Sequence, residues 1–257
     1  MYTPPTPIIN NYAQVLLKYA LNFGHGVKKG ETIWLVGTEV SKPLFLAVRR
    51  EAIKLGCNVI ANYMPDNWDR YQIDRDILEY GSPAQLDWFP ENYMKGLIKE
   101  IDHFLYISAP TDLAALDGID AKKVMQKHKA YGPYMQWRNA KENKEEFSWT
   151  ICMYGTEALA EASDMTLEEY WQELINICFL NEKDPVKKWK AVARDLHTVT
   201  KKLNLLTPKI DYLHLTGPDI NLKVTPGDKR QWVSARGANI PSFEVYTSPD
   251  CRQTEGW

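Results

Sequence analysis

TIWLVGTEVSKPLFLAVRREAIKLGCNVIANY, residues 32–63, decides the fold. It opens on Thr32 to Val36, a short run of β-branched and large apolar residues preceded by the turn residue Gly30, which reads as a buried strand. From about Ser41 to Leu55, Leu44, Val48 and Ala52 recur every fourth residue, the spacing of one buried helical face, and Gly56 ends the run. Asn58 to Tyr63 then reads as a second strand. Strand, helix and strand in immediate succession form a βαβ unit, and that unit needs parallel strands joined by a right-handed crossover.

The alternation continues downstream. A turn at Pro65 and Asp66 leads into an Asp-, Arg- and Tyr-rich stretch to Tyr80 that reads as helix without evident chemistry. A helix over Pro90 to Glu100 precedes the apolar strand His103 to Ser108. Ala121 to Arg138 is helical with an interruption at Gly132 and Pro133, and Trp149 to Met153 supplies a fourth strand. Short apolar strands separated by helices predict an α/β fold: a Rossmann-like open, mostly parallel sheet with helices on both faces, its strands near 32–36, 58–63, 103–108 and 149–153.

Upstream, the Pro-rich lead Tyr2 to Ile9 argues against helix, and Asn10 or Asn11 caps a helix whose stripe is Ala13, Leu16, Leu17, Ala20 and Leu21, ending at Gly24. Gly24, Gly26 and Gly30 follow a helix and precede a strand, the reverse of a dinucleotide-binding loop, so they read as a cap and turn, with Lys28 and Lys29 on a solvated turn. Beyond the fourth strand two amphipathic helices break the alternation. Thr166 and Glu169 make a capping box ahead of Leu167, Tyr170, Trp171 and Leu174. Asp184 caps the second with Pro185 at its first position, and its apolar stripe from Val186 to Leu203 must end before Pro208. The pattern then becomes β, with strands at Asp211–Thr216, Asn221–Thr225 and Gln231–Ser234 and a hairpin turn at Pro226-Gly227-Asp228. Residues 1–207 are therefore expected to form an N-terminal α/β domain, and 208–257 to begin a second, β-containing domain.

Composition excludes some partners. Thirty-one basic against 33 acidic side chains leave a formal net charge of -2, which draws the protein to neither nucleic acid nor an anionic membrane. No apolar run reaches the roughly 18 to 20 residues of a membrane span, and the start lacks a signal-peptide layout, so a cytoplasmic protein is expected. Cys57, Cys152, Cys178 and Cys251 are scattered without C-x-x-C spacing and are expected to be reduced and unpaired.

For chemistry, the five histidines form no H-x-x-x-H or H-E-x-x-H spacing, and His214 reads as an ordinary strand histidine on the way to the one notable carboxylate. Asp219, Asn221 and Asp228 lack calcium-loop spacing. No G-x-S-x-G, phosphate-binding loop or cysteine nucleophile context is present, and no catalytic residue is assigned. The notable carboxylate is Glu244. It follows the turn-forming pair Asn239 and Pro241, leads into Val245-Tyr246-Thr247, and precedes a second turn at Ser248-Pro249-Asp250. A carboxylate at the start of a short strand stands on rigid backbone with accessible oxygens, which suits a divalent cation; by local pattern alone it also reads as a solvated loop glutamate.

Asn239-Ile240-Pro241 followed by Glu244-Val245-Tyr246-Thr247-Ser248-Pro249 resembles the first metal-ligand motif of the M29 family of thermophilic aminopeptidases. Further stretches match that family in the same order: Tyr12-Ala13 with Leu16-Leu17, Val27-Lys28-Lys29-Gly30-Glu31, Trp149 to Leu180, Asp184-Pro185-Val186 with Trp189, Leu203-Asn204, and Leu213 to Leu222. The resemblance implies a homodimeric enzyme that removes N-terminal amino acids from peptide substrates using two adjacent divalent metal ions, with zinc, cobalt, manganese and magnesium not distinguished. It makes Glu244 a metal ligand. The family's second glutamate, two histidines, aspartate and assisting tyrosine have no matching positions up to Trp257, so 208–257 is expected to be the start of a metal-binding catalytic domain, inactive by itself. The alternative is a non-enzymatic α/β binding or interaction module that uses a crevice at the carboxyl edge of the sheet.

Overall fold

The computed structural model describes residues 2–67, 72–226 and 230–248, together with the backbone of 255–256. Its helices are α1 (Thr6–Val15), α2 (Lys42–Lys54), α3 (Ile73–Tyr80), α4 (Pro83–Asp87), α5 (Glu91–Glu100), α6 (Ala121–Ala130), α7 (Gly132–Glu142), α8 (Glu157–Glu161), α9 (Leu167–Ile177) and α10 (Pro185–Leu206). Its strands are β1 (Thr32–Thr38), β2 (Asn58–Met64), β3 (His103–Ser108), β4 (Ser148–Met153), β5 (Leu213–Gly217), β6 (Ile220–Val224), β7 (Val233–Ser234), β8 (Asn239–Ile240), β9 (Val245–Tyr246) and β10 (Glu255–Gly256).

The four expected strands share one sheet, which a fifth extends in the order β2-β1-β3-β4-β8, all neighbours parallel. Strand residues alternate between the two faces, and both faces are covered. On one face Ile33, Leu35, Leu105, Ile107 and Cys152 are fully buried. On the other, Trp34, Phe104 and Trp149 pack against a cluster formed by Met94, Leu97 and Ile98 of α5 and Tyr134 of α7. The fold is thus the expected open α/β sheet. Thr166 and Glu169 form the expected capping box, and Trp171 of that helix is buried with its indole N–H donating to the Gly155 carbonyl at 3.2 Å.

A polar network ties the amino ends of the strands together. Thr32 N–H donates to Asp102 Oδ2 at 2.7 Å. Buried His103 lies 2.9 Å from Glu31 through Nε2 and 2.9 Å from Ser148 Oγ through Nδ1, and the Asn22 N–H donates to the same hydroxyl at 2.7 Å. With Glu31 as a carboxylate, Nε2 carries the proton and Nδ1 accepts from Ser148.

Three expectations are corrected. The first helix begins at Thr6 rather than at an asparagine cap, because Pro7 falls in its first turn, where a missing N–H costs no hydrogen bond. A single π-helical turn, Leu16–Ala20, then ends it before Gly24. Asn239 is not a turn residue: Asn239 and Ile240 form β8, paired with Ile151 and Cys152. β6 does not form a hairpin with the next strand. It pairs with β5 and β10, while β7 pairs with β9. Gly227 and Asp228 of the expected turn, and Cys251, lie outside the described residues.

The chain divides into two compact units, Met1–Val186 with Gly237–Pro241, and Lys187–Arg236 with Ser242–Trp257. The division read from the sequence after Thr207 marks where helical pattern gives way to strand pattern. The units divide earlier: the second begins at Lys187, Asn204 near the end of α10 bonds to Trp232 within it, and the segment around β8 returns to the first sheet. Cys57, Cys152 and Cys178 are buried and outside any disulfide, and among the described residues no helix is long and apolar enough to cross a membrane.

Candidate functional site

Glu244 stands in the second unit, one residue before β9, on a ribbon whose backbone is fixed from several sides. β7 and β9 pair antiparallel with Val233 opposite Tyr246 and Ser234 opposite Val245. The Ala235 N–H donates to the Glu244 carbonyl at 3.0 Å, and Thr247 Oγ1 donates to the Gln231 carbonyl at 3.0 Å. The helix α10 holds the start of the ribbon through one side-chain amide: Asn204 Nδ2 donates to the Trp232 carbonyl at 2.9 Å while its Oδ1 accepts the Trp232 N–H at 2.8 Å. The Trp232 indole N–H donates to Thr207 Oγ1 at 2.8 Å. Phe243, next to the glutamate, stacks on buried Trp189 at a centroid distance of 5.0 Å and an interplanar angle of 6°. An amide that pairs with both backbone groups of one residue acts as a local strand partner, so the ribbon keeps its register without a long ladder.

The carboxylate itself is exposed, with Ser242 Oγ donating to its Oε1 at 3.0 Å. That hydroxyl orients one oxygen and leaves the other open, the geometry of a monodentate metal ligand. Among the described residues, however, no group of three or more His, Cys, Asp or Glu side chains converges on a metal-sized site. His214, the nearest candidate by sequence, is exposed and its Nε2 bonds to Asn221 Oδ1 at 2.8 Å across the β5–β6 pair. One carboxylate against the roughly four to six ligands of a divalent cation does not make a metal site, so the described residues do not by themselves fit the implied ion.

A different feature lies in the first unit. Outside the carboxyl ends of β1, β2 and β3 is a cleft of about 650 Å³ that includes Thr38, Met64 and Ser108 in its lining. Of its polar residues, Asp66 was read only as part of a turn, and Asn67 and Asp112 were not singled out. The available signal was positional: Pro65-Asp66 follows β2 and Pro110-Thr111-Asp112 follows β3, and acidic residues just past parallel strands face the crevice where open α/β sheets bind ligands.

Comparison with known proteins gives concordant matches. A family model described as thermophilic metalloprotease (M29) matches residues 6–257. The chain is 24% identical to aminopeptidase PepS of Streptococcus thermophilus over 277 residues, covering 97% of this chain and 64% of that protein. It is 24% identical to aminopeptidase AmpS of Bacillus subtilis (strain 168), covering 96% and 62% respectively. The structure of wild-type AmpT from Thermus thermophilus superposes with a TM-score of 0.74 at 21% identity, covering 97% of this chain and 63% of that one, a likeness of fold. The chain spans a little under two thirds of the length of the curated relatives it matches.

Proposed function

The chain belongs to the M29 family of thermophilic metalloproteases, and from that membership we propose that its whole protein is a metal-dependent aminopeptidase in which Glu244 is one metal ligand. Its substrates are peptides with a free amino terminus, its cofactor a pair of divalent metal ions, and its assembly a homodimer. In this reading residues 208–257 open the metal-binding domain, and residues 1–207 are the α/β domain that precedes it. The observation that carries the assignment is the setting of Glu244: an exposed carboxylate, oriented by Ser242, on a ribbon pinned by Asn204 and by the stack of Phe243 on Trp189. Such fixed backbone suits a ligand whose oxygen must hold its place when a cation arrives. One carboxylate defines no reaction step by itself; its role is to hold the cation.

The 257-residue chain by itself is expected to bind Zn²⁺, Co²⁺ or Mn²⁺ weakly and to leave aminoacyl-p-nitroanilides intact. In the protein extended by its natural downstream sequence, Glu244→Gln removes the ligand charge while keeping the shape, and lowers both metal occupancy and turnover. Wild-type occupancy and turnover in that variant would remove Glu244 from the ligand set. Chelator-resistant peptidase activity in the 257-residue chain would overturn the whole assignment.

The second reading, a non-enzymatic binding module, draws on the cleft at the carboxyl edge of the sheet. The two readings concern different units of the chain and are separately testable.

A further inference from the structure

We infer that the open edge of the first sheet, strand β2, is a docking site for an extended acidic segment of a partner protein, which adds to the sheet as an antiparallel strand. The inference rests neither on Glu244 nor on peptidase activity. It begins with the hydrogen bonds that β2 leaves unused. β2 pairs with β1 on one side, and among the described residues it has no neighbour on the other. The Asn58 N–H donates to the Glu31 carbonyl at 2.9 Å, so Asn58 and every second residue after it turn their backbone groups toward β1. Val59, Ala61 and Tyr63 therefore point their N–H and C=O groups outward, away from the sheet.

Sheet edges are ordinarily blunted by brevity, charge or proline. The opposite edge follows that rule, since β8 has two residues and runs into Pro241. β2 does not. Its seven residues, NVIANYM, include neither a charge nor a proline, and Ala61, Asn62 and Tyr63 are exposed. An edge so bare offers a ladder to an added strand, an interaction in which main-chain bonds supply affinity and flanking side chains supply specificity. Parallel sheets commonly carry an antiparallel strand at an edge, and the antiparallel ladder is the stronger one per residue.

The flank of the edge sets the partner's chemistry. Val59, Ala61 and Tyr63 carry their side chains on the face that α2 covers, where buried Phe45 packs on Tyr63 at a centroid distance of 5.0 Å. α2 runs opposite to the strands it connects, and Phe45, Arg49 and Ile53 follow one another a turn apart down the same side of it. Eight helical residues span about 12 Å and four strand residues about 13 Å, so Arg49 falls beside Ala61 and Ile53 beside Val59. Arg49 and Ile53 are exposed, and Arg49 makes no hydrogen bond or ion pair among the described residues. Glu51, the acid of this helix, turns the other way and pairs with Lys18 at 2.8 Å. Charge complementarity thus calls for a carboxylate opposite Ala61, with an apolar residue two positions away over Ile53. A second copy of this chain is the wrong partner: two β2 edges in full register about a two-fold at Ala61 would set two Arg49 side chains against each other.

The test uses the 257-residue chain and peptides blocked at both ends, which offer a peptidase no free amino terminus. Acetyl-Thr-Val-Thr-Glu-Thr-Val-Thr-amide sets Glu opposite Ala61 with Val to either side, and is titrated while the amides of 58–64 are followed by NMR and hydrogen exchange. It is expected to bind saturably and to slow exchange at Val59, Ala61 and Tyr63, whose N–H groups it covers. Replacing its Glu by Gln weakens binding about fivefold, and replacing it by Lys weakens binding further. N-methylation of both valines abolishes binding while N-methylation of the two threonines beside Glu does not, because only valine and glutamate N–H groups face β2. Ala61→Pro removes an outward N–H without breaking a bond to β1, and abolishes binding in a chain that stays folded. Arg49→Glu weakens the Glu peptide about tenfold and makes the Lys peptide the tighter one, an exchange that loss of structure would not produce. Glu244→Gln leaves binding unchanged, which separates this edge from the metal assignment. Failure to saturate, equal affinity for the Glu and Lys peptides, or unprotected Ala61 in the complex would overturn the inference. So would a dimer in sedimentation equilibrium that Ala61→Pro dissociates, since it would give the edge to a second copy.

Discussion

Replacing Gly237 by alanine is expected to detach the fifth strand from the sheet. Gly237 has φ 90°, in the left-handed region, where an alanine costs about 1–2 kcal/mol. A Cβ on it would also stand 2.6 Å from Ala20 Cα and closer still to the Ala20 carbonyl oxygen. Those are backbone atoms of a buried residue, so the clash cannot be relieved by turning a side chain, and overpacking of this kind costs about 1–3 kcal/mol more. Gly118 supplies the control, since its φ of 76° carries the conformational cost while nothing lies within 4 Å of its would-be Cβ. The local readout is hydrogen exchange at Ile151, whose N–H donates to the Ala238 carbonyl at 2.8 Å, beside the 2.7 Å bond from Thr150 Oγ1 to the Gly237 carbonyl. Taking the packing cost alone, exchange in Gly237→Ala should be roughly 5- to 150-fold faster than in wild type, whereas Gly118→Ala leaves Ile151 protected. Equal protection of Ile151 in wild type and Gly237→Ala would refute the assignment of β8 to this sheet.

Two further outcomes follow from buried polar groups. His103→Leu deprives Glu31 and Ser148 of a shared partner, and urea unfolding should show a loss of about 1–3 kcal/mol; an unchanged midpoint would mean that the network at the amino ends of the strands adds nothing. Burial pushes the Tyr19 and Tyr154 hydroxyls and the Cys178 thiol up to about 12, and raises Cys152 as well. These groups stay neutral in the fold and ionise more readily when unfolded. Their contribution is therefore complete below the ordinary thiol and phenol range and is lost as pH rises from about 8.5 toward 12. Denaturation midpoints that stay level across that window would contradict the burial of these groups.

Much of the fold was legible because the inner strands β1, β3 and β4 have one face buried and the other largely covered and so carry large apolar residues on both, and because Thr166 with Glu169 and Pro185 mark helix starts by local chemistry. What was not legible has a physical cause in each case. Pro7 looked like a helix breaker and is a first-turn residue. Asn239 looked like a turn residue, yet its strand is only two residues long and is defined by β4, distant in sequence. The ribbon around Glu244 was placed correctly before β9, but the Asn204 amide that pins it acts across α10 and leaves no periodic trace. A crevice at the carboxyl edge was expected, but its lining residues went unread because they come from two loops that only the parallel register of β1, β2 and β3 brings together.

The late return of Gly237–Pro241 to the first sheet also sets a timetable for synthesis. β4 ends at Met153 and the strand that covers its outer edge begins at Asn239, so the ribosome must make everything between before the edge can be paired. At ordinary translation speeds that interval is on the order of ten seconds. Closing so long a connection adds little entropic cost, since loop closure grows only logarithmically with length. The exposure is kinetic instead: the nascent chain carries an unpaired row of N–H and C=O groups on β4 through that interval, when a neighbouring chain on the same message can add a strand in place of Asn239 and Ile240.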